Sequence, residues 1–352
     1  MPPTKPRSTP NNPIPTPPQP TIPSTNPSIH SFLIRNNLTP SDFSELSQFI
    51  TSTHPNETYT LVPSQGFCSL TFSLSSELII QFRPRNYGLD LSATSLASRV
   101  YPRYAPTTRY VTTLPRTGLL VYEMSVVDGI SLQDCRVANR ELTTSSEFLT
   151  KLIVSFAAFQ VESYKTRTLP PPQGYKETKV ASTLHHRLLS LHAHLPPRFF
   201  PLTTRLLQSF EEITSLPWVL THGDLLPGNI MVERNSGRLT GFVDWGESEY
   251  LPFGMGLYGV DEILLLPSEG GDGVGFHPRS GGLRRVGMAR ELGCLLWFGI
   301  AWDGGKIDRV VEEGRDLEEV RKLDAFLFGC GGEVELDNGE VDGGEIEVIG
   351  RL

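Results

Sequence analysis

Between Trp218 and Trp245 short apolar runs alternate with polar loops, and that alternation restricts the fold more than any other stretch of the chain. Trp218-Val219-Leu220 and Ile230-Met231-Val232 read as two strands, Asn235-Ser236-Gly237 is a turn signal, and residues 239–243 read as the returning strand. The loop Thr221-His222-Gly223-Asp224-Leu225-Leu226-Pro227-Gly228-Asn229 is therefore expected to be held by sheet at both ends, with Asp244 emerging beside Asn229 across the hairpin. Asp224 is placed to accept a hydroxyl proton, and Asn229 and Asp244 to share a Mg²⁺ ion. Magnesium takes a few hard oxygen ligands and completes its shell with water or phosphate, so an amide oxygen and a carboxylate leave room for a nucleotide.

Taken singly, each residue has a plainer reading. Asp224 after a glycine is a turn former, Asn229 a cap on the following strand, and Asp244 a solvated strand end. The joint spacing is what points to chemistry. His222 is a further candidate of the catalytic loop, better suited to a packed, hydrogen-bonded orienter than to a base.

The pattern H-G-D-L-x-P-x-N-I-x-V from His222 to Val232, followed by V-D-W-x-E from Val243 to Glu247, resembles the aminoglycoside phosphotransferase and choline-kinase-like family. The likeness extends from about residue 55 to residue 329. It implies an α+β, bilobal protein-kinase-like fold, with a small β-rich N-lobe over residues 29–123 and a larger, mainly helical C-lobe over 124–329. It also implies ATP- and Mg²⁺-dependent transfer of a phosphoryl group to a small molecule's hydroxyl, with Asp224 as catalytic base and Asn229 and Asp244 as metal ligands. Gln81-Phe82-Arg83-Pro84, Val121-Tyr122-Glu123-Met124, Leu251-Pro252-Phe253-Gly254 and residues 295–303 are similar to a fungal branch whose substrates are mostly unassigned.

In the amino-terminal half, residues 59–62, 70–74 and 78–82 read as strands, and Ser64-Gln65-Gly66-Phe67-Cys68-Ser69 connects the first two. By the resemblance this is the phosphate-covering loop, although Gly66 is its one glycine where several usually bring N–H groups to the anion; an ordinary hairpin turn is the alternative. Arg83 matches the cation that holds the α- and β-phosphates, with Arg85 as fallback. The family pairs that cation with a helix Glu. Between Asn86 and Tyr122 the one acidic residue is Asp90, so either Asp90 substitutes or the pair is missing. Residues 119–124 read as a buried strand with a polar exit, which the resemblance makes the adenine-binding hinge at Tyr122, Glu123 and Met124.

The large lobe reads as helical around the hairpins. Thr144-x-x-Glu147 has the form of a capping box ahead of Leu149, Leu152, Ile153 and Phe156. Leu206, Leu207, Phe210 and Ile213 mark one helix, residues 286–300 another, and Asp316-x-x-Glu319 caps a last one burying Val320, Leu323, Phe326 and Leu327. Trp297, Trp302 and Asp303 are candidates for lining the acceptor pocket, and Glu247 for orienting the loop. Gly270-Gly271-Asp272-Gly273-Val274-Gly275 lacks a strand before it and reads as a connector. His185, His186, His192 and His194 lie among leucines and read as a solvated helix face.

With 352 residues and 38% hydrophobic content the chain can bury two lobes. The net charge of −8 tells little about the substrate, because residues 330–352 hold seven carboxylates against Arg351, a net −6, and the remainder carries only −2. No basic stripe suggests nucleic acid and no apolar run suggests a signal peptide or a membrane span. Four scattered cysteines fit neither a metal site nor a disulfide framework, so reduced thiols and a cytoplasmic setting are expected. Residues 1–28 (Pro-rich) and 330–352 (acidic) have the composition of disordered tails. The oligomeric state leaves no mark in the sequence. Three readings stay open: an active small-molecule kinase, a nucleotide-binding pseudokinase, and a non-catalytic interaction protein.

Overall fold

The computed structural model describes residues 26–169, 180–264, 281–303 and 306–328. They fall into two compact units. One runs to Asp128 and includes Thr240–Gly246; the other comprises Gly129–Leu239 and the chain from Glu247 onward.

The first unit begins with helix α1 (Pro27–Arg35), two residues before the composition change suggested. Asn26 caps it by accepting the Ser28 N–H, and Pro27 supplies a φ already suited to the first turn. Helix α2 (Phe43–Thr53) follows, and then strands β1 (Tyr59–Leu61), β2 (Leu70–Leu74) and β3 (Leu78–Arg83). Helix α3 (Leu91–Val100) and strands β4 (Thr108–Thr113) and β5 (Leu120–Ser125) complete the run. The sheet is antiparallel in the order β1-β2-β3-β5-β4. Period-two alternation sends Ile80 and Phe82 of β3 to one face and Gln81 and Arg83 to the other. The apolar face packs with Leu70, Phe72 and Val121 against Ile29, Phe32, Leu46 and Ile50 of α1 and α2. Each such buried side chain contributes about 1.5–3 kcal/mol of transfer free energy. The two covering helices were not anticipated from the sequence.

The second unit opens with β6 (Ile130–Ser131), α4 (Leu132–Ala138), α5 (Arg140–Thr144) and α6 (Ser146–Lys165). The α6 cap is Ser145, whose hydroxyl accepts the Phe148 N–H; Thr144, expected in that role, ends α5 instead. Helices α7 (Leu184–His194), α8 (Phe200–Gln208) and α9 (Phe210–Thr214) come next, the last two separated at Ser209 where one helix was expected. Strand β7 (Trp218–Thr221) leads into the loop, β8 (Ile230–Val232) leaves it and pairs antiparallel with β6, and β9 (Leu239–Phe242) follows the turn. Strand β10 (Glu249–Pro252) pairs antiparallel with β7, placing Glu249 opposite Thr221.

The chain continues through α10 (Tyr258–Leu264), α11 (Gly281–Phe298), the hairpin β11 (Ile300–Asp303) and β12 (Lys306–Val310), and α12 (Leu317–Phe328). Helix α12 buries Val320, Leu323, Phe326 and Leu327 as its spacing predicts, and packs on α11. Asp316 precedes it, but its carboxylate turns back to the Glu312 N–H and to Arg309. Helix α10 is fixed from inside: Asp261 and Arg290 form a doubly hydrogen-bonded pair at 2% exposure or less, and Arg290 also donates to the Phe326 carbonyl. Burial pushes the Asp261 carboxyl up, and the Arg290 guanidinium opposes that.

No helix among the described residues is long and apolar enough to cross a membrane. The side chain of Trp302, residues 270–275, and the tails at residues 1–25 and 329–352 lie outside the described residues.

Candidate active site

In the second unit, strand β7 delivers His222 into the protein interior at 1% exposure. The next residue, Gly223, turns at φ +83°, and a Cβ there would lie 2.2 Å from the Glu247 carbonyl oxygen. Only glycine satisfies both conditions. His222 Nδ1 accepts the Asp224 N–H at 3.2 Å, which ties the imidazole to the loop backbone. Asn229 closes the loop. Its Nδ2 donates to the Asp224 carbonyl at 3.0 Å and to Asp224 Oδ2 at 2.9 Å, while its N–H bonds the Leu226 carbonyl. The Asn229 Oδ1 is thereby left without a donor among the described residues.

The floor of this loop is Tyr258, which no motif revealed. The buried Leu225 N–H donates to Tyr258 Oη at 2.9 Å, and the Tyr258 ring stacks on Trp297 at 13° and meets Phe298 edge-on. Burial pushes the phenol well above its ordinary pKa, with the nearby Asp224 charge adding to the shift. Trp297, a candidate for the acceptor pocket, stacks on this tyrosine. Asp303, another such candidate, pairs with Arg309 and Arg315.

In the first unit Arg83 is buried at 7% exposure. Its Nε donates to Gln81 Oε1 at 2.6 Å, its Nη1 to the Tyr87 carbonyl at 3.2 Å, and its Nη2 to both oxygens of Asp244 at 3.3 Å. Of the two alternatives the second holds: among the described residues no helix carboxylate pairs with Arg83. Asp90 does not serve Arg83, because its Oδ1 caps α3 through the Ser92 and Ala93 N–H groups, and Arg85 is exposed. The segment from Thr240 is secured by the Phe242 N–H on the Tyr104 carbonyl and by Trp245 packed on Tyr101. Asp244 itself sits at φ +62°, a conformation that costs a non-glycine residue roughly 1 kcal/mol or more and that concentrates at functional positions. Its side chain is 41% exposed, so one side of the carboxylate remains open to solvent.

Four other predicted residues lie in the sheet of the first unit and its loop. Tyr122, Glu123 and Met124 occupy the middle of β5, with β3 on one side and β4 on the other. Their main-chain groups face those neighbours, as in any central antiparallel strand, and are taken up by the sheet. Tyr122 Oη accepts the Leu89 N–H, and buried Glu123 pairs with His54 and Arg109. Gly66 needs no glycine: it has ordinary φ, and the nearest atom to an added Cβ is 3.6 Å away. What shapes its loop is Gln65, which donates to the Val62 and Thr71 carbonyls and accepts the Thr71 N–H.

Among the described residues no group of three or more His, Cys, Asp or Glu forms a metal cage. The helical histidines have other partners, His192 on Thr203 and Phe200, His194 on the Ser190 carbonyl. Asn229 Oδ1 in the one unit and the Asp244 carboxylate in the other are each hard oxygens of the type magnesium accepts.

Residues 95–256, a little under half of the chain, match the phosphotransferase enzyme family APH. The matched stretch holds His222, Asp224, Asn229 and Asp244 but not Arg83. No curated protein matches the chain. Solved structures similar to it include the GDP complex of wild-type aminoglycoside 2'-phosphotransferase-IIIa, at 13% identity over 72% of this chain and 90% of that one, TM-score 0.46. Another is the gentamicin complex of APH(2")-IIa, at 14% identity over 80% and 95%, TM-score 0.44. A third is APH(3'')-Id of Streptomyces rimosus with ADP and streptomycin, at 15% identity over 82% and 99%, TM-score 0.42.

Proposed function

We propose that the chain is an ATP- and Mg²⁺-dependent phosphotransferase acting on a hydroxyl of a small molecule. The observation that carries this reading is the clamp between Asn229 and Asp224. One amide nitrogen fixes the carboxylate that takes the proton, and the same side chain keeps its oxygen for a metal. Asp224 is half-buried and its carboxylate is steered by the loop, so it can accept the acceptor's hydroxyl proton as that oxygen attacks the γ-phosphate. Asn229 and Asp244 are the metal ligands, and Arg83 is the cation on the phosphate side. Bound magnesium supplies neutralisation of charge developing on the phosphoryl oxygens. His222 and Tyr258 keep the loop in place and touch no substrate. The match of residues 95–256 to the phosphotransferase family supports the reaction class.

A second reading, a nucleotide-binding pseudokinase with a regulatory or scaffold role, is favoured by the covering loop, which holds one glycine and is stitched down by Gln65. One experiment separates the two. Thermal stabilisation by ATP is measured with and without Mg²⁺, followed by ADP release across amine, sugar and amino-acid alcohols, for wild type and Asp224→Asn. The first reading expects Mg²⁺-dependent stabilisation in both proteins and turnover lowered about 10²–10⁴-fold in the variant. Stabilisation with no turnover above the variant on any acceptor supports the second. No Mg²⁺-dependent nucleotide binding overturns both.

A further inference from the structure

We propose that Gln81 is the positioning residue of Arg83, doing with a neutral amide what a helix carboxylate was expected to do, and that it anchors the cation to strand β2 beside the covering loop. The inference rests on the reading of Arg83 as the phosphate-side cation. The guanidinium is a flat fork, so fixing two of its corners fixes the direction of the third. Gln81 Oε1 holds Nε at 2.6 Å and the Tyr87 carbonyl holds Nη1 at 3.2 Å, which leaves the Nη2 edge turned to Asp244.

Gln81 is itself held. Its Nε2 donates to Thr71 Oγ1 at 3.1 Å, and Thr71 stands directly opposite it in the β2–β3 register. Thr71 in turn gives its N–H to Gln65 Oε1 at 2.7 Å, and its hydroxyl lies 3.3 Å from that of Ser69. A continuous polar chain thus runs from the loop at Gln65, through Thr71 and Gln81, to Arg83 and Asp244. The neutrality of Gln81 has a consequence. A carboxylate would cancel part of the cation's charge, whereas an amide orients the fork and leaves that charge to Asp244 and to an incoming phosphate.

Isothermal titration of full-length protein with MgATP tests this without any acceptor. Gln81→Leu removes the amide while keeping bulk, and is expected to weaken MgATP about ten- to hundredfold, the usual range for losing an orienting partner. Gln81→Glu keeps an acceptor for Nε and lets the Thr71 hydroxyl donate in turn, but its charge competes with the phosphate for the cation, so its affinity is expected about three- to tenfold below wild type and above that of Gln81→Leu. Thr71→Val, which breaks only the anchor of Gln81, is expected to fall between the two and serves should the leucine variant not fold. Wild-type affinity in both Gln81→Leu and Thr71→Val overturns the inference alone, as does a Gln81→Glu protein as weak as Gln81→Leu. Absence of MgATP binding by the wild type overturns the nucleotide reading as well.

Discussion

The loop around Asp224 and the cation site around Arg83 each secure a carboxylate, by opposite means. In the loop the bonds are local: His222 to Asp224 spans two residues and Asn229 to Asp224 spans five. At the cation, Arg83 meets Asp244 across 161 residues of sequence. A local device is written as a motif, and substitution within it breaks the backbone path. A long-range device tolerates exchange of partners, since any acceptor that reaches the fork serves. This is why the sequence carries the loop residues in recognisable order, while at the cation the expected Glu is absent and Gln81 stands in its place.

The comparison is broken most forcefully at Gly223. An alanine there combines a positive φ with a Cβ 2.2 Å from the Glu247 carbonyl, so the loop or the Glu247 peptide must move. A destabilisation of roughly 3 kcal/mol or more is expected, read as a fall in the thermal midpoint, with turnover abolished in whatever remains folded. Near-wild-type stability would mean that the loop is not held by its local geometry. Asp244→Asn acts on the other device and should behave differently. Asparagine tolerates the same φ, so the fold should persist, but the charge that meets Arg83, and that the proposed metal site requires, is gone. Mg²⁺-dependent nucleotide affinity is expected to drop about hundredfold, with the thermal midpoint of the ligand-free protein little changed. Equal affinity with and without the charge would remove Asp244 from the metal site.

What could be read in advance follows the same division. His222, Asp224 and Asn229 were legible because their contacts lie within one loop bounded by two strands. The β3 strand was legible from its alternation, and Gln81 was in reach of the same rule: two residues before Arg83, it shares that residue's face of the strand. The register that sets Thr71 opposite Gln81 was not, since pairing of β2 with β3 depends on the whole sheet. The place of Tyr122, Glu123 and Met124 within β5 was not legible for a related reason. An apolar run with a polar exit at Tyr122-Glu123-Met124 looks like a strand end, yet the Arg109 cation and a His54 hydrogen bond let Glu123 be buried in mid-strand. Asp90, an acid in the right interval, was committed to the cap of α3, which competes for the same carboxylate.

Tyr258 offers the gentlest test, because it supports the loop from a distance of 33 residues and so mixes the two devices. Tyr258→Phe keeps the ring against Trp297 and deletes one acceptor, leaving the buried Leu225 N–H without a partner there; the expected cost is about 1–2 kcal/mol. Turnover should fall modestly while nucleotide affinity is unchanged, since Arg83 and Asp244 are untouched. The pH dependence has a definite sign. Burial holds the folded phenol above its ordinary value, so the unfolded chain ionises first and wild type loses stability as pH rises past about 10. The phenylalanine variant has no such group, and the stability gap between the two proteins should therefore narrow in the alkaline range. A gap that stays constant in chemical denaturation from pH 8 to pH 11 would mean that the phenol is not shielded, and with it that Tyr258 is not the sealed floor on which the catalytic loop rests.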